Sequence, residues 1–217
     1  MTLFVLALTF GIYPALCSLH LPQLAVDAAW EALLLLGVCL FAATDGLGVR
    51  SLNPGKKWNR WDGLLMAAIV LMNLVASMTY AYALRPFLPT SSPWLQTVVR
   101  EFKALDPLSF GVVAVGLALL IGLSEELAFR SYFMTRLRDC ELSARSSILL
   151  TAAAFGLLHW PDDGLLLAIS KGIFWGIPAG YFFYRRGSIL PLIAAHSFVD
   201  ALAFTLIYFA PLPPHVH

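Results

Sequence analysis

Charge is what this chain has least of: Asp, Glu, Lys and Arg together make up 12% of its 217 residues, about half the share of a water-soluble domain. The three cysteines, Cys17, Cys39 and Cys140, are odd in number and far apart, which excludes a disulfide framework or a Cys-rich metal centre. The net charge is +1. No basic run with interleaved aromatics accompanies it, so a nucleic-acid partner is excluded. Neither an internal repeat nor a linker divides the chain, and residues 1–217 read as one membrane domain. No cationic stretch precedes Leu3, so the first apolar run is expected to be a transmembrane helix rather than a cleaved signal. Leu16, not a small residue, precedes Cys17, which argues against lipidation.

What fills the chain instead is hydrocarbon, with 59% hydrophobic residues and a mean hydropathy of +0.78. A membrane span needs about 20 mostly apolar residues. The apolar runs predict an all-α, polytopic transmembrane helical bundle of about seven spans, within a range of six to eight. The expected spans are Leu3–Leu19, Leu24–Thr44, Gly63–Leu84, Ser109–Met134, Ser147–Trp160, Leu165–Tyr184 and Ser188–Ala210. The fifth is short for a full crossing, and Trp94–Leu105 is expected as an interfacial helix. Alternating the loops gathers Arg50, Lys56, Lys57, Arg60, Arg136, Arg138, Arg145, Arg185 and Arg186 on one side, against Arg85, Arg100 and Lys103 on the other. By the positive-inside rule the first side is cytoplasmic. Compact size and the absence of eukaryotic sorting signals point to a prokaryotic inner membrane. Gly172, Gly176 and Gly180 recur every four residues, the spacing that lets helices approach closely, and Pro178 is expected to kink that helix.

Against this background, three polar islands stand out, because ionisable side chains within spans are functional candidates by default. The first is Glu125-Glu126-Leu127-Ala128-Phe129-Arg130. On a helix Glu126 and Arg130 are i and i+4 with the acid first, the favourable order for a pair, while Glu125 points about 100° away. Arg130 is therefore expected to compensate Glu126, leaving Glu125 for proton chemistry. The alternative is an ion-pair knot that only locks helices. The second island is Phe155 with His159, one turn apart, and the third is His196 with Asp200, where the carboxylate can orient the imidazole. Each histidine also has a plain reading as an interhelical hydrogen-bond partner. Lys171 lies inside the sixth span and is assigned no role.

Glu-Glu-x-x-x-Arg, Phe-x-x-x-His and His-x-x-x-Asp, in that order on successive apolar helices and with the Gly-Ser-Ile-Leu-Pro-Leu-Ile-Ala-Ala-His lead into the third, resemble the CPBP family. That family includes CAAX-type prenyl proteases of the Rce1 kind and bacteriocin-processing or abortive-infection-like membrane proteins. The resemblance covers residues 109–210 as a catalytic core and leaves 1–108 as N-terminal helices without an assigned role. It implies an intramembrane glutamic endopeptidase acting on a protein or peptide substrate, which in the CAAX branch is lipidated, with no cofactor or metal. Glu125 and His159 would activate water, His196 and Asp200 would stabilise the oxyanion, and Glu126, Arg130 and Phe155 would support the site. Two positions depart from the family pattern. Asp200 stands where Asn is frequent, so it is protonated, or it only orients His196, or the site handles a different reaction; Ser131 stands where glycine is common.

Two rivals follow from the residues themselves. Zinc held by His159, His196 and either Glu125 or Asp200 would make a metal-dependent hydrolase, since two histidines and one carboxylate suffice for a catalytic site. Alternatively, buried acids and histidines serve a proton-coupled transporter or a membrane scaffold.

Overall fold

The computed structural model describes residues 12–47, 55, 60–79, 93–160 and 164–209, with residues 93 and 94 described by their backbone alone. Among the described residues there are eight helices and no strand: α1 Tyr13–Cys17, α2 Gln23–Thr44, α3 Arg60–Thr79, α4 Pro93–Ala104, α5 Pro107–Asp139, α6 Ala144–Leu158, α7 Leu165–Arg186 and α8 Leu190–Phe209. α2, α3, α5, α7 and α8 are long and apolar enough to cross a membrane, and α6 is a shorter apolar helix. The protein is an integral membrane bundle. Most of the expected first span lies outside the described residues, as do 80–84 and 210 at the ends of two others. The remaining boundaries agree with expectation to within about a turn, except that α5 runs five residues past Met134.

Apolar side chains face both ways, as a lipid-facing bundle requires. On α5, Leu108, Val112, Val115 and Leu119 form an exposed stripe, while Phe110, Ala114, Leu117, Ala118 and Gly122 are buried. In water the exposed stripe would be a large apolar patch. α4 falls where the helix over Trp94–Leu105 was expected, and it buries Val98 and Phe102, one turn apart, against Phe110 and Phe204.

Polar contacts sort the helix ends into two groups. At one end the Tyr132 hydroxyl donates to Asp45 Oδ2 at 2.6 Å, Arg136 Nε lies 3.7 Å from the same oxygen, and Arg186 pairs with Asp62. Gly55 N–H also bonds Gly187 O at 2.8 Å. At the other end Glu101 caps α2 from a distant helix, accepting Gln23 N–H at 2.6 Å and Leu24 N–H at 2.8 Å, and Lys103 Nζ donates to Tyr208 O at 2.9 Å. Arg60, Arg136, Arg138, Arg145, Arg185 and Arg186 thus belong to one end of the bundle, and Arg100 and Lys103 to the other. Arg50, Lys56, Lys57 and Arg85 lie outside the described residues.

Two features shape the centre. The periodic glycines of α7 meet α6 at contact distance: a Cβ on Gly176 would lie 2.9 Å from Ala152 Cα and Cβ, and one on Gly172 would lie 3.0 Å from Ala152 O. Gly156 of α6 answers them, since a Cβ there would lie 2.5 Å from Ala168 O. Both α5 and α7 also contain a π-helical turn, at Leu127–Phe133 and Gly172–Gly176. Such turns interrupt the regular hydrogen-bond ladder and often occur at functional sites. In α7 the turn lies immediately before Pro178, whose ring and missing N–H disturb the ladder at that point.

Candidate active site

Glu125 lies 14 residues before the end of α5, about 21 Å from its arginine-rich end at 1.5 Å per residue. His159 caps the C-terminus of the 15-residue α6, about 22 Å from the start of that helix by the same rise. α8 brings His196 alongside because Gly122 lets it press against α5: a Cβ there would overlap the Ser197 side chain. The three islands of the sequence therefore meet at one depth.

Glu126 is the hub of this site. Its Oε1 accepts from Arg130 Nη1 at 2.9 Å, Trp175 Nε1 at 2.9 Å and His196 Nδ1 at 2.8 Å, with Glu126 and Arg130 both fully buried. The Arg130 guanidinium also lies over the Phe155 ring, 4.3 Å from its centroid, a contact that is stronger where water is excluded. The expected Glu126–Arg130 pair is present, and the π-helical turn after Glu126 carries the arginine.

Both imidazoles have their orientation set by the Nδ1 partner. A carbonyl oxygen only accepts, so the 2.9 Å contact to Phe155 O makes His159 Nδ1 a donor and aims Nε2 at Glu125 Oε1, 3.8 Å away. For His196 the partner differs from the one expected. Asp200 was expected to orient the ring, but its Oδ2 lies 3.6 Å from Nε2, beyond hydrogen-bond reach. Glu126 holds Nδ1 instead, because α5 packs closely on α8 and puts a fully buried carboxylate nearer than one turn of α8 can. His196 Nε2 is thereby turned towards Glu125 Oε2, also at 3.6 Å.

Glu125 is left between two imidazole nitrogens without a direct hydrogen bond to either. It is 3% exposed, and its Oε2 has no hydrogen-bond partner among the described residues; nor do Glu126 Oε2, Arg130 Nε and Nη2, or Asp200 Oδ2. Lys171 is close enough to act electrostatically on both Glu125 and Asp200. Sequence reasoning missed two members of this neighbourhood. Trp175 carries no sequence signal beyond an indole in an apolar helix. Glu31 does carry one, a lone acid within the apolar α2, and its carboxylate accepts the hydroxyl of buried Ser124.

Chemically, the site offers a carboxylate flanked by two imidazoles, with its neighbouring carboxylate neutralised by an arginine. It lies at membrane depth among the aromatic rings of Phe129, Phe155 and Trp175. Comparison with curated proteins and with solved structures returned no match. A family model does match, described as Rce1-like, type II CAAX prenyl endopeptidase Rce1-like, over residues 107–202. Those residues run from the start of α5 to just beyond Asp200 and include all three motifs. The segment that builds this site, residues 107–202, is thus similar to the type II CAAX prenyl endopeptidase Rce1-like family.

Proposed function

We propose that this chain is an intramembrane endopeptidase of glutamic type, cleaving a peptide bond near the membrane in a protein or lipidated peptide. The observation that carries the reading is the position of Glu125, 3.8 Å from His159 Nε2 and 3.6 Å from His196 Nε2. A single water oxygen making two hydrogen bonds of about 2.8 Å bridges a gap of that width at roughly 85°. It would then lie within reach of both Glu125 and His159.

In the proposed reaction the water oxygen attacks the scissile carbonyl carbon and its proton passes to the Glu125–His159 pair. General-base assistance of this kind contributes about 10²–10⁴-fold. His196, with Nδ1–H held by Glu126, presents Nε2 to the developing oxyanion and stabilises it when that nitrogen is protonated. Asp200, with Oδ2 3.6 Å from the same nitrogen, stands beside the oxyanion and donates to it when protonated. The C–N bond then breaks and the proton returns from the Glu125–His159 pair to the leaving amine. Glu126, Arg130 and Phe155 hold the constellation without touching substrate. The arginine-rich end of the bundle faces the cytoplasm in this reading.

The reaction is proposed without a metal. Among the described residues no group of three or more His, Cys, Asp or Glu side chains is arranged to hold a metal ion. The test is cleavage of a fluorogenic prenylated CAAX-type peptide by the detergent-solubilised protein, by Glu125→Ala and by His159→Ala, each with and without a strong zinc chelator. Chelator-resistant cleavage lost in both variants supports the proposal. Cleavage that the chelator abolishes and zinc restores refutes it in favour of a zinc hydrolase.

A further inference from the structure

A carboxylate that belongs to none of the three motifs stands behind the site. Glu31 lies on α2, outside the family-matching segment, and is 6% exposed. It occupies a buried stripe continued by Leu34, Val38 and Ala42, so three of four positions are apolar and the fourth carries an acid. A polar group is retained in such a place only against a partner. Here that partner is Ser124, fully buried and next in sequence to Glu125, whose hydroxyl bonds Glu31 Oε2.

Ser124 is contested. Its Oγ also lies 2.8 Å from Leu120 O and 3.0 Å from Ile121 O, so one hydroxyl proton faces three acceptors. Left to itself, a mid-helix serine back-bonds to its own preceding turn. Glu31 draws on the same hydroxyl from another helix and ties α2 to the turn that carries Glu125. That turn needs a tether. π-helical bonding starts at Leu127, so residues 124–127 form a junction between two hydrogen-bonding registers, and a slip there would rotate Glu125 away from imidazoles held by α6 and α8. The charged neighbours of Glu31 are Glu125 on α5, Asp200 on α8 and Asp27 on its own helix.

We infer that Glu31 is a positioning residue for Glu125, acting through Ser124 to fix the α5 turn on which the carboxylate meets His159 and His196. The catalytic consequence rests on the endopeptidase reading; the structural consequence does not. Misplacement by about 1 Å in a catalytic constellation can lower a rate on the order of 10²-fold.

The test uses the full chain in detergent, with Glu31→Gln, Glu31→Ala, Ser124→Ala and the double Glu31→Ala/Ser124→Ala. Two readouts are taken: kcat and KM on a peptide the wild type cleaves, and amide hydrogen exchange across residues 121–127. Glu31→Gln, which keeps a hydrogen-bonding group at Ser124, is expected to stay within about threefold of wild type, while the alanine variants each lower kcat at least about tenfold with KM unchanged. The double variant falls no further than the worse single, because both act through one contact. Exchange across 121–127 accelerates in Glu31→Ala and not in Glu31→Gln. Equal losses in the Gln and Ala variants, additive losses in the double, or exchange that Glu31→Ala leaves unchanged overturns the inference. Should Glu31→Ala not fold, Ser124→Ala and Glu31→Gln carry the same comparison. A wild type that cleaves nothing counts against the endopeptidase reading, and the exchange comparison then decides this inference alone.

Discussion

Arg130→Met is expected to lower the unfolding free energy by about 3–5 kcal/mol, because it leaves a carboxylate buried without its cation. Arg130 and Glu126 are both fully buried, with Nη1 and Oε1 2.9 Å apart. At an effective dielectric constant of about 20, two unit charges at that separation attract by roughly 6 kcal/mol before desolvation is subtracted. Trp175 and His196 continue to donate to Glu126 Oε1 after the substitution, which places Arg130→Met towards the lower end of the range. Glu126→Gln belongs towards the upper end. It leaves a buried guanidinium without its paired charge, whose Nε and Nη2 already have no hydrogen-bond partner among the described residues, over the Phe155 ring at 4.3 Å. The double variant Glu126→Gln/Arg130→Met removes both charges while keeping an acceptor for Trp175 and His196. It should cost at least about 2 kcal/mol less than the sum of the singles. Equilibrium unfolding in mixed micelles, followed by circular dichroism, measures all three. Losses that add to within about 0.5 kcal/mol would show that the two side chains do not act as a pair, and the reasoning would fail.

Glu125→Gln should reduce cleavage by about 10²–10⁴-fold with little change in unfolding midpoint, checked by the peptide assay beside a thermal-shift measurement. Trp175→Phe keeps a ring 4.8 Å from His196 but removes the indole donor to Glu126; a stability loss of about 1–2 kcal/mol is expected in the same micelle titration. Gly176→Ala places a Cβ 2.9 Å from Ala152 and should cost about 1–3 kcal/mol. Gly116→Ala, with nothing within 4 Å of the new Cβ, should stabilise by about 0.5–1 kcal/mol through helix propensity alone. In the peptide assay Asp200→Asn should retain cleavage, because an amide can donate to an oxyanion, whereas Asp200→Ala should lose it; equal activity in the two would remove residue 200 from the oxyanion site.

The membrane bundle was legible in the sequence because hydrocarbon imposes length and composition together: a helix that crosses must be long and apolar, and α2, α5, α7 and α8 begin or end within a few residues of the runs that forecast them. α4 begins and ends within one residue of the short helix expected over Trp94–Leu105. The glycines of α7 were legible as a spacing, and the structure supplies their partner, Ala152 on α6. The Glu126–Arg130 pair could be read locally because an i,i+4 relation is fixed by helix geometry whatever surrounds it.

What the sequence determined by itself is therefore what short-range geometry and solvent dictate: the helices, their apolar character, and the sites along them where charge is out of place. Which of those charges meet was decided only by the tertiary structure. His196 and Asp200 are as well spaced for a pair as Glu126 and Arg130, yet Glu126 takes the imidazole, because the close approach of α8 to α5 at Gly122 sets the distances. Glu31 and Trp175 join the neighbourhood from 93 and 49 residues away in sequence from their partners. Local periodicity carries no information about such contacts. They follow from three-dimensional packing, which brings donors and acceptors from distant helices to most buried polar groups.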